Sequence, residues 1–568
     1  MNLSVHVIDF AKKILPYRLR AHPWAQKLRT RVVFHTTLAG RLKRQLSFAE
    51  GKETAKPFAG KRVLVPIIET SHYQHQHILA IAKALQLRGA EVKVLICGEV
   101  LDGCEIKSVR REGDPDPCWS CRFHAQHTTP LYGLETVSLA DFLSGPERVQ
   151  IREAASQQVS RGESVQRHGI HLDQAVQDSV IRYYYGAVPA DGGQVLKVRQ
   201  AHTMSALLTA EVAHRIDNQW HPDIVFCNMS CYSAWEAFYK YYRDSRERFR
   251  MVSLTQFDLN SVTLNQFELY GNGKRFSNYL RARSEPLLTQ SEKAELSQFI
   301  AERNSGQSAI FKLLGFFESN DQLTQNQQLH LDNTKRNIFL FSNIYWDVGL
   351  SECAGLYPDV ISWVLRTVEL LKDRHAVQLS IKPHPGEVFD SSSSLKGISQ
   401  IIREKYPHLP KNITIIEPEW KIKTYDLFAH INLGLIFTGT LGLEMMLARI
   451  PVVSTGATTH QGLGFAAEPK TEAEYLALLL GEQESPKYSR EDLDLFAYFY
   501  FIRSKMPWTL TKQAYGDDFD GFAFESLDEL LPGKDLQLDH LCNCIMDLEH
   551  TVVEAWPSTA PREIQASC

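Results

Sequence analysis

Between residues 336 and 456, short apolar runs alternate with helix-patterned segments, and this alternation restricts the chain to parallel α/β sheets. RNIFLF, AVQLSI, NITII, LGLIF and PVVS are continuous apolar runs rich in β-branched residues, which reads as strands buried on both faces. Residues 359–372, SSSSLKGISQIIREKY, TYDLFAHI and TLGLEMMLARI read as the intervening helices. An earlier βαβ unit is visible in RVLVPII, HILAIAKALQLRGA and EVKVLIC, with further strands at HPDIVFCNMS and MVSLTQFD. The expected fold is α/β, with two Rossmann-like doubly wound domains facing a central cleft. A basic extension spans 1–58 and a first domain with a cysteine-containing insertion spans 59–330. A second domain spans 331–485, and a helical C-terminal segment spans 486–568. The polar stretches near 287–304 and 322–328 read as a linker or surface excursion.

A chain of 568 residues suits two large domains or three smaller ones, and 44% hydrophobic with 23% charged residues is ordinary globular composition. A net charge of −4 gives no reason to expect nucleic acid as a partner. No apolar run reaches the roughly 20 residues that span a bilayer. The N-terminus does not read as a secretory signal, so the ten cysteines are expected as reduced thiols in the cytoplasm. Residues 1–44 hold ten Lys and Arg against one acid, Asp9, with apolar residues interleaved. Such a segment suits peripheral contact with the inner face of a membrane, or else a solvated helix packed on the first domain.

In open parallel sheets, ligands bind at the carboxyl ends of the strands. AVQLSI delivers Lys382, His384 and Glu387 to such a position, and Pro383 and Pro385 stiffen the loop around the imidazole. A fixed imidazole can donate a hydrogen bond to a phosphate or ribose, or act as an acid; the plainer reading is a turn that caps the next helix. Farther on, LGLIF runs into Thr438, Gly439 and Thr440 and opens a helix at once. Its exposed N–H groups suit a phosphate, Gly439 allows close approach, and the two threonine hydroxyls add donors. Glu444, one helical turn beyond Thr440, is placed to accept ribose hydroxyls.

With FSNIYWD, IKPHPGE, TGTLGLE and ARIPVVSTG together, residues 337–474 resemble the capsule polysaccharide biosynthesis proteins, which look like bacterial glycosyltransferases of GT-B architecture. The His-Pro element is also similar to one in bacterial sialyltransferases and Kdo transferases, where it meets the cytidine nucleotide. The resemblance implies His384 and Pro385 at the nucleotide and Thr438, Gly439 and Thr440 at the phosphates. It further implies a nucleotide-sugar donor and a glycan or lipid-linked acceptor.

In FSNIYWD, Ser342 and Asn343 are candidates to bond a phosphate or the acceptor and Asp347 to act as a base; alternatively the loop is structural with Trp346 as its anchor. In the first domain, Glu69, His72 and His75 follow the first strand and are candidates for the base that deprotonates the acceptor hydroxyl. Cys97, Cys104, Cys118 and Cys121 are candidate ligands for a structural zinc or an iron–sulfur cluster, or simply buried thiols. No cofactor is expected for catalysis itself, since basic groups and the helix turn can carry the leaving-group charge. No Walker loop, HExxH, GxSxG or GxGxxG after a strand occurs. The expected activity is glycosyl transfer. The alternatives are transfer of an alditol phosphate from a cytidine nucleotide, sugar-nucleotide 2-epimerisation, or a non-catalytic scaffold.

Overall fold

Both strand series form parallel sheets in a computed structural model, which describes residues 27–28, 31, 39–47, 55–68, 72–108, 118–189, 192–227, 229–244, 250–258, 261–265, 273–305, 331–332, 334–347, 353–388, 394–420, 422–507, 510 and 522–546. They divide into two compact units. The first comprises Met1–Tyr183, Pro189–Phe267 and Met506–Leu548; the second comprises Tyr184–Val188, Glu268–Lys505 and Glu549–Cys568. Most of the basic segment 1–44 lies outside the described residues, and no described helix is long and apolar enough to cross a membrane.

In the first unit, β1 (Arg62–Ile67) is central. On one side lie β2 (Glu91–Ile96) and β3 (Glu135–Ser138); on the other lie β4 (Ile224–Cys227) and β5 (Arg250–Asp258). All five run parallel. β6 (Ser261–Asn265) and the two-residue strand Met506–Pro507 add an antiparallel edge. The helices are α1 (His72–Leu87), α2 (Trp119–His127), α3 (Gly145–Arg161), α4 (Asp173–Tyr183), α5 (Gly192–Trp220) and α6 (Tyr232–Asp244). Two late segments complete this unit. Gln45 Nε2 donates to the carbonyls of Phe522 and Phe524. Buried Arg88, at the end of α1, donates to the carbonyls of Ala84 and Leu530 and reaches Asp539 of the helix Leu536–Met546 at 2.6 Å. Of the segment expected as helical at 486–568, residues 506–548 therefore belong to the first unit and 486–505 to the second.

The second unit holds β7 (Arg336–Phe341), β8 (Val377–Lys382), β9 (Ile413–Ile415), β10 (Leu433–Ile436) and β11 (Val452–Ser454) in the order β9-β8-β7-β10-β11, all parallel. Its helices are α7 (Gly273–Ala282), α8 (Gln290–Asn304), α9 (Val360–Leu371), α10 (Ile398–Lys405), α11 (Leu441–Leu447), α12 (Glu472–Leu480) and α13 (Arg490–Tyr498). Strand residues alternate between two cores. Ile338, Leu340, Leu379 and Ile381 pack with Trp363 of α9 and Tyr475 of α12. Phe339, Phe341 and Ile436 pack with Phe276 and Tyr279 of α7, Leu296 of α8 and Phe496 of α13. Of the stretches expected as a linker, 287–304 thus covers part of one face of the second sheet, and 322–328 lies outside the described residues. The start of α8 is marked by a capping box, in which Thr289 and Glu292 satisfy each other's backbone N–H groups.

Glu387 serves the fold. It was expected at a nucleotide, but its Oε2 accepts the N–H of Ile398 at 3.1 Å, at the start of α10. The N-cap of α10 is Gly397, which has no side chain to offer, and a Cβ there would stand 2.9 Å from that oxygen. Burial pushes the Glu387 carboxyl up to about 8.

Two outcomes follow. Asp539→Asn leaves the Arg88 charge buried without its counter-ion and lowers the first unit's stability by about 3 kcal/mol, read as an earlier urea midpoint. For Glu387, the folded pKa lies above the unfolded value of 4.5, so the native state binds the extra proton and loses stability as pH rises from about 4.5 to about 8. Glu387→Gln removes that loss: its melting temperature matches wild type near pH 4.5 and exceeds it by a growing margin up to about pH 8. A constant gap across this range would show that the Glu387 carboxyl does not titrate there.

Candidate functional site

The carboxyl ends of β7, β8 and β10 converge on a cavity of about 610 Å³ within the second unit. That is the size range of small-ligand pockets. It lies where strand order reverses, because β8 and β10 flank β7 on opposite sides and their connections depart in opposite directions. Ser342, Asn343, Lys382, His384, Pro385, Thr438, Gly439, Thr440 and Glu444 all line it. Glu387 and Asp347 do not. Asp347 is exposed. The rest of FSNIYWD anchors the loop: Tyr345 OH donates to the Lys396 carbonyl at 2.7 Å and Trp346 Nε1 donates to Ser394 Oγ at 2.8 Å.

Lys382 is the last residue of β8 and is buried, yet no hydrogen bond or ion pair to its side-chain amine exists among the described residues. Burial pulls its amine down to about 8. Ser342 Oγ and Asn343 Oδ1 are buried without a hydrogen-bond partner. Among the described residues, the N–H groups of Gly439, Thr440 and Leu441 also meet no acceptor, and no side chain caps α11. Gly439 has φ +104°, a conformation only glycine adopts readily, and this opens the backbone there.

His384 is a neutral donor. Its Nδ1 accepts the Gly386 N–H at 3.0 Å, which leaves the proton on Nε2. Burial and the nearby Lys382 charge hold its pKa at about 4, so it is not the near-neutral acid expected from its type.

The side chains of Thr438, Thr440 and Glu444 depart from expectation because each is already hydrogen-bonded within the protein. Thr438 Oγ1 donates to the Ala457 carbonyl at 2.6 Å, and Thr440 Oγ1 donates to Glu444 Oε1 at 2.9 Å. Their protons are committed inside the protein, so the donors this turn still offers are backbone N–H groups. Glu444 is buried, and Arg303 of α8 donates to its Oε1 at 2.9 Å while Tyr425 OH donates to Oε2. Burial, the largest single influence, would lower the Arg303 pKa; the Glu444 charge, Tyr425 and the hydrogen bonds to both together outweigh it and raise the value. Both carboxylate oxygens are therefore occupied before any ribose arrives. Arg303 and Tyr425 line the cavity but were not singled out in the sequence. The capping box would have placed Arg303 on a helix, while nothing local points to its partner 141 positions away.

In the first unit, Glu69 lies outside the described residues, as do the side chains of His72 and His75, whose backbone opens α1. Cys97, Cys104, Cys118 and Cys121 all line one cavity of about 70 Å³ at the ends of β1 and β2. Among the described residues, however, no three His, Cys, Asp or Glu side chains are grouped to hold a metal ion. The four thiols converge without forming a tetrahedral ligand set.

No family model matches the sequence, and no curated protein matches it. Among solved structures, the chain is similar to Thermosulfurimonas dismutans KpsC, a β-Kdo 2,4-transferase, at 14% identity over 49% of this chain and 79% of that one, with a TM-score of 0.32. It is similar to the β-Kdo 2,7-transferase of KpsC from the same organism, at 12% identity over 58% and 89%, with a TM-score of 0.31. It is also similar to a UDP-GlcNAc 2-epimerase from Neisseria meningitidis bound to UDP-GlcNAc, at 11% identity over 77% and 98%, with a TM-score of 0.23.

Proposed function

We propose that the second unit binds a nucleotide-sugar and that the protein is a glycosyltransferase, passing the sugar to a glycan or lipid-linked acceptor for a surface polysaccharide. The observation that carries this reading is the set of unsatisfied groups around one cavity: the Lys382 amine, Ser342 Oγ, Asn343 Oδ1 and the N–H groups of Gly439, Thr440 and Leu441. Buried polar groups are normally satisfied, and a ligand bearing both an anion and hydroxyls would satisfy these. A phosphate would take Lys382 and the N–H groups, and hydroxyls of the sugar or ribose would donate to Asn343 Oδ1. Pro385, Pro418, Ile422 and Leu441 supply apolar wall for a base.

Glycosyl transfer requires negative charge to develop on the leaving phosphate, and groups already aimed at that position stabilise it without reorganising. Lys382 and the neutral His384 would do so here. The acceptor hydroxyl must lose its proton, and Glu69, His72, His75 and Asp347 stand as proposed bases, none of them among the residues that line this cavity.

Thermal shift with UDP, GDP, CDP, CMP and their sugars tests the reading. One nucleotide class raises the melting temperature of wild type, His384→Ala loses the effect, and Lys382→Met weakens binding roughly 30-fold, the equivalent of about 2 kcal/mol for a lost charged hydrogen bond. No shift with any of them, in folded protein, would turn the reading toward a scaffold. Affinity also carries a pH signature. Lys382 is charged below about pH 8 and neutral above it, so nucleotide binding weakens as pH rises through 8. Titrations from pH 6.5 to 9.5 should show this in wild type and a flat profile in Lys382→Met.

A further inference from the structure

We propose that Lys382 is a carbonyl-reactive amine, a covalent-modification site through which phosphorylated aldehydes occupy and block this cavity. The inference rests on the reading of the cavity as a phosphate site, and adds a chemistry that glycosyl transfer does not use.

An amine attacks a carbonyl only when its lone pair is neither protonated nor donated elsewhere, and the surroundings of Lys382 meet both conditions. The carboxylates that might hold it as an ammonium ion are engaged. Glu444 accepts from Arg303, Tyr425 and Thr440. Glu417 pairs with Arg403. Glu387 caps α10 and is itself largely protonated at neutral pH. The remaining lining acid, Glu419, is exposed. No hydrogen bond or ion pair to the Lys382 amine exists among the described residues, and its side chain lines a cavity large enough for a small phosphorylated aldehyde. With a pKa of about 8 in place of 10.5, roughly a quarter of the amine is neutral at pH 7.5. This is on the order of 10²-fold more than for an ordinary lysine. Buried lysines with lowered pKa values are those that form Schiff bases. The N–H groups of Gly439, Thr440 and Leu441 supply the complementary anchor for the aldehyde's phosphate.

In the reaction, the Lys382 nitrogen forms a bond to the aldehyde carbon as the C=O π bond breaks, and one of the two amine protons passes to the carbonyl oxygen. The carbinolamine then loses its hydroxyl with a nitrogen-bound proton as water, leaving a C=N bond. Water reverses the step, whereas hydride from borohydride converts the C=N bond to a stable secondary amine.

The experiment uses the full chain. Pyridoxal 5′-phosphate and, separately, pyridoxal are incubated with the protein at pH 7.5, reduced with sodium borohydride, and the modified peptides quantified by mass spectrometry. Lys423, which also lines the cavity, is the internal comparison, so no variant needs to fold. The expected result is at least tenfold more label on Lys382 than on Lys423, at least tenfold more from the phosphorylated aldehyde, and protection by whichever nucleotide raises the melting temperature. Preferential label on Lys382 that is equal for both aldehydes would uphold the reactive amine and count against the phosphate reading. Label on Lys382 no greater than on Lys423 would overturn the proposal, whatever the nucleotide titrations show.

Discussion

The second unit is organised by one constraint: β7 is hydrogen-bonded to parallel neighbours on both sides. A parallel neighbour can be reached only by a crossover, so the chain must leave β7 toward β8 over one face and return to β10 over the other. The two connections separate at the carboxyl end of β7 and a crevice opens between them. Everything assigned to the candidate site follows from that separation. Ser342 and Asn343 leave β7, Lys382 and His384 leave β8, and Thr438 to Thr440 leave β10. The first sheet has the same arrangement about β1, with β2 and β4 on either side.

Around the crevice, charges fall into two classes. Arg303 and Glu444 neutralise each other at 2.9 Å, with Tyr425 and Thr440 filling the remaining acceptor positions. Such a buried pair adds little net stability against its desolvation cost, but it fixes α8 against the start of α11. Lys382 is the opposite case, a buried cation without a counter-ion among the described residues. Inside a protein an isolated charge is costly, and the lysine lowers that cost by releasing its proton more readily. The wall of the cavity is thereby rigid where it is paired and poised for a ligand where it is not.

The strand–helix alternation was legible because strands buried on both faces are written as unbroken apolar runs, as RNIFLF and AVQLSI are. The convergence of Lys382, His384, Ser342, Asn343 and the Thr438–Thr440 turn was legible too, since strand ends in one parallel sheet lie together. Partition of the chain was not. Nothing local in residues 273–304 shows that Phe276 and Leu296 pack beneath β7, and nothing near Asp539 points to Arg88. Hydrogen-bond allegiance was not legible either. Spacing places Thr440 and Glu444 on one helical face, but it does not say that they bond each other rather than a ligand. The side-chain-free Gly397 was the single local hint that a neighbour such as Glu387 would be drawn to α10.

The return of residues 506–548 to the first unit has a consequence for how the chain is made. Arg88 and Asp539 are 451 positions apart. At a synthesis rate of ~5–20 residues per second, Asp539 emerges on the order of 20–90 s after Arg88. Through that interval the entire second sheet is translated while the end of α1 waits without its partner. The five parallel strands of the first unit thus precede the second sheet in synthesis, while the carboxylate that neutralises Arg88 follows it.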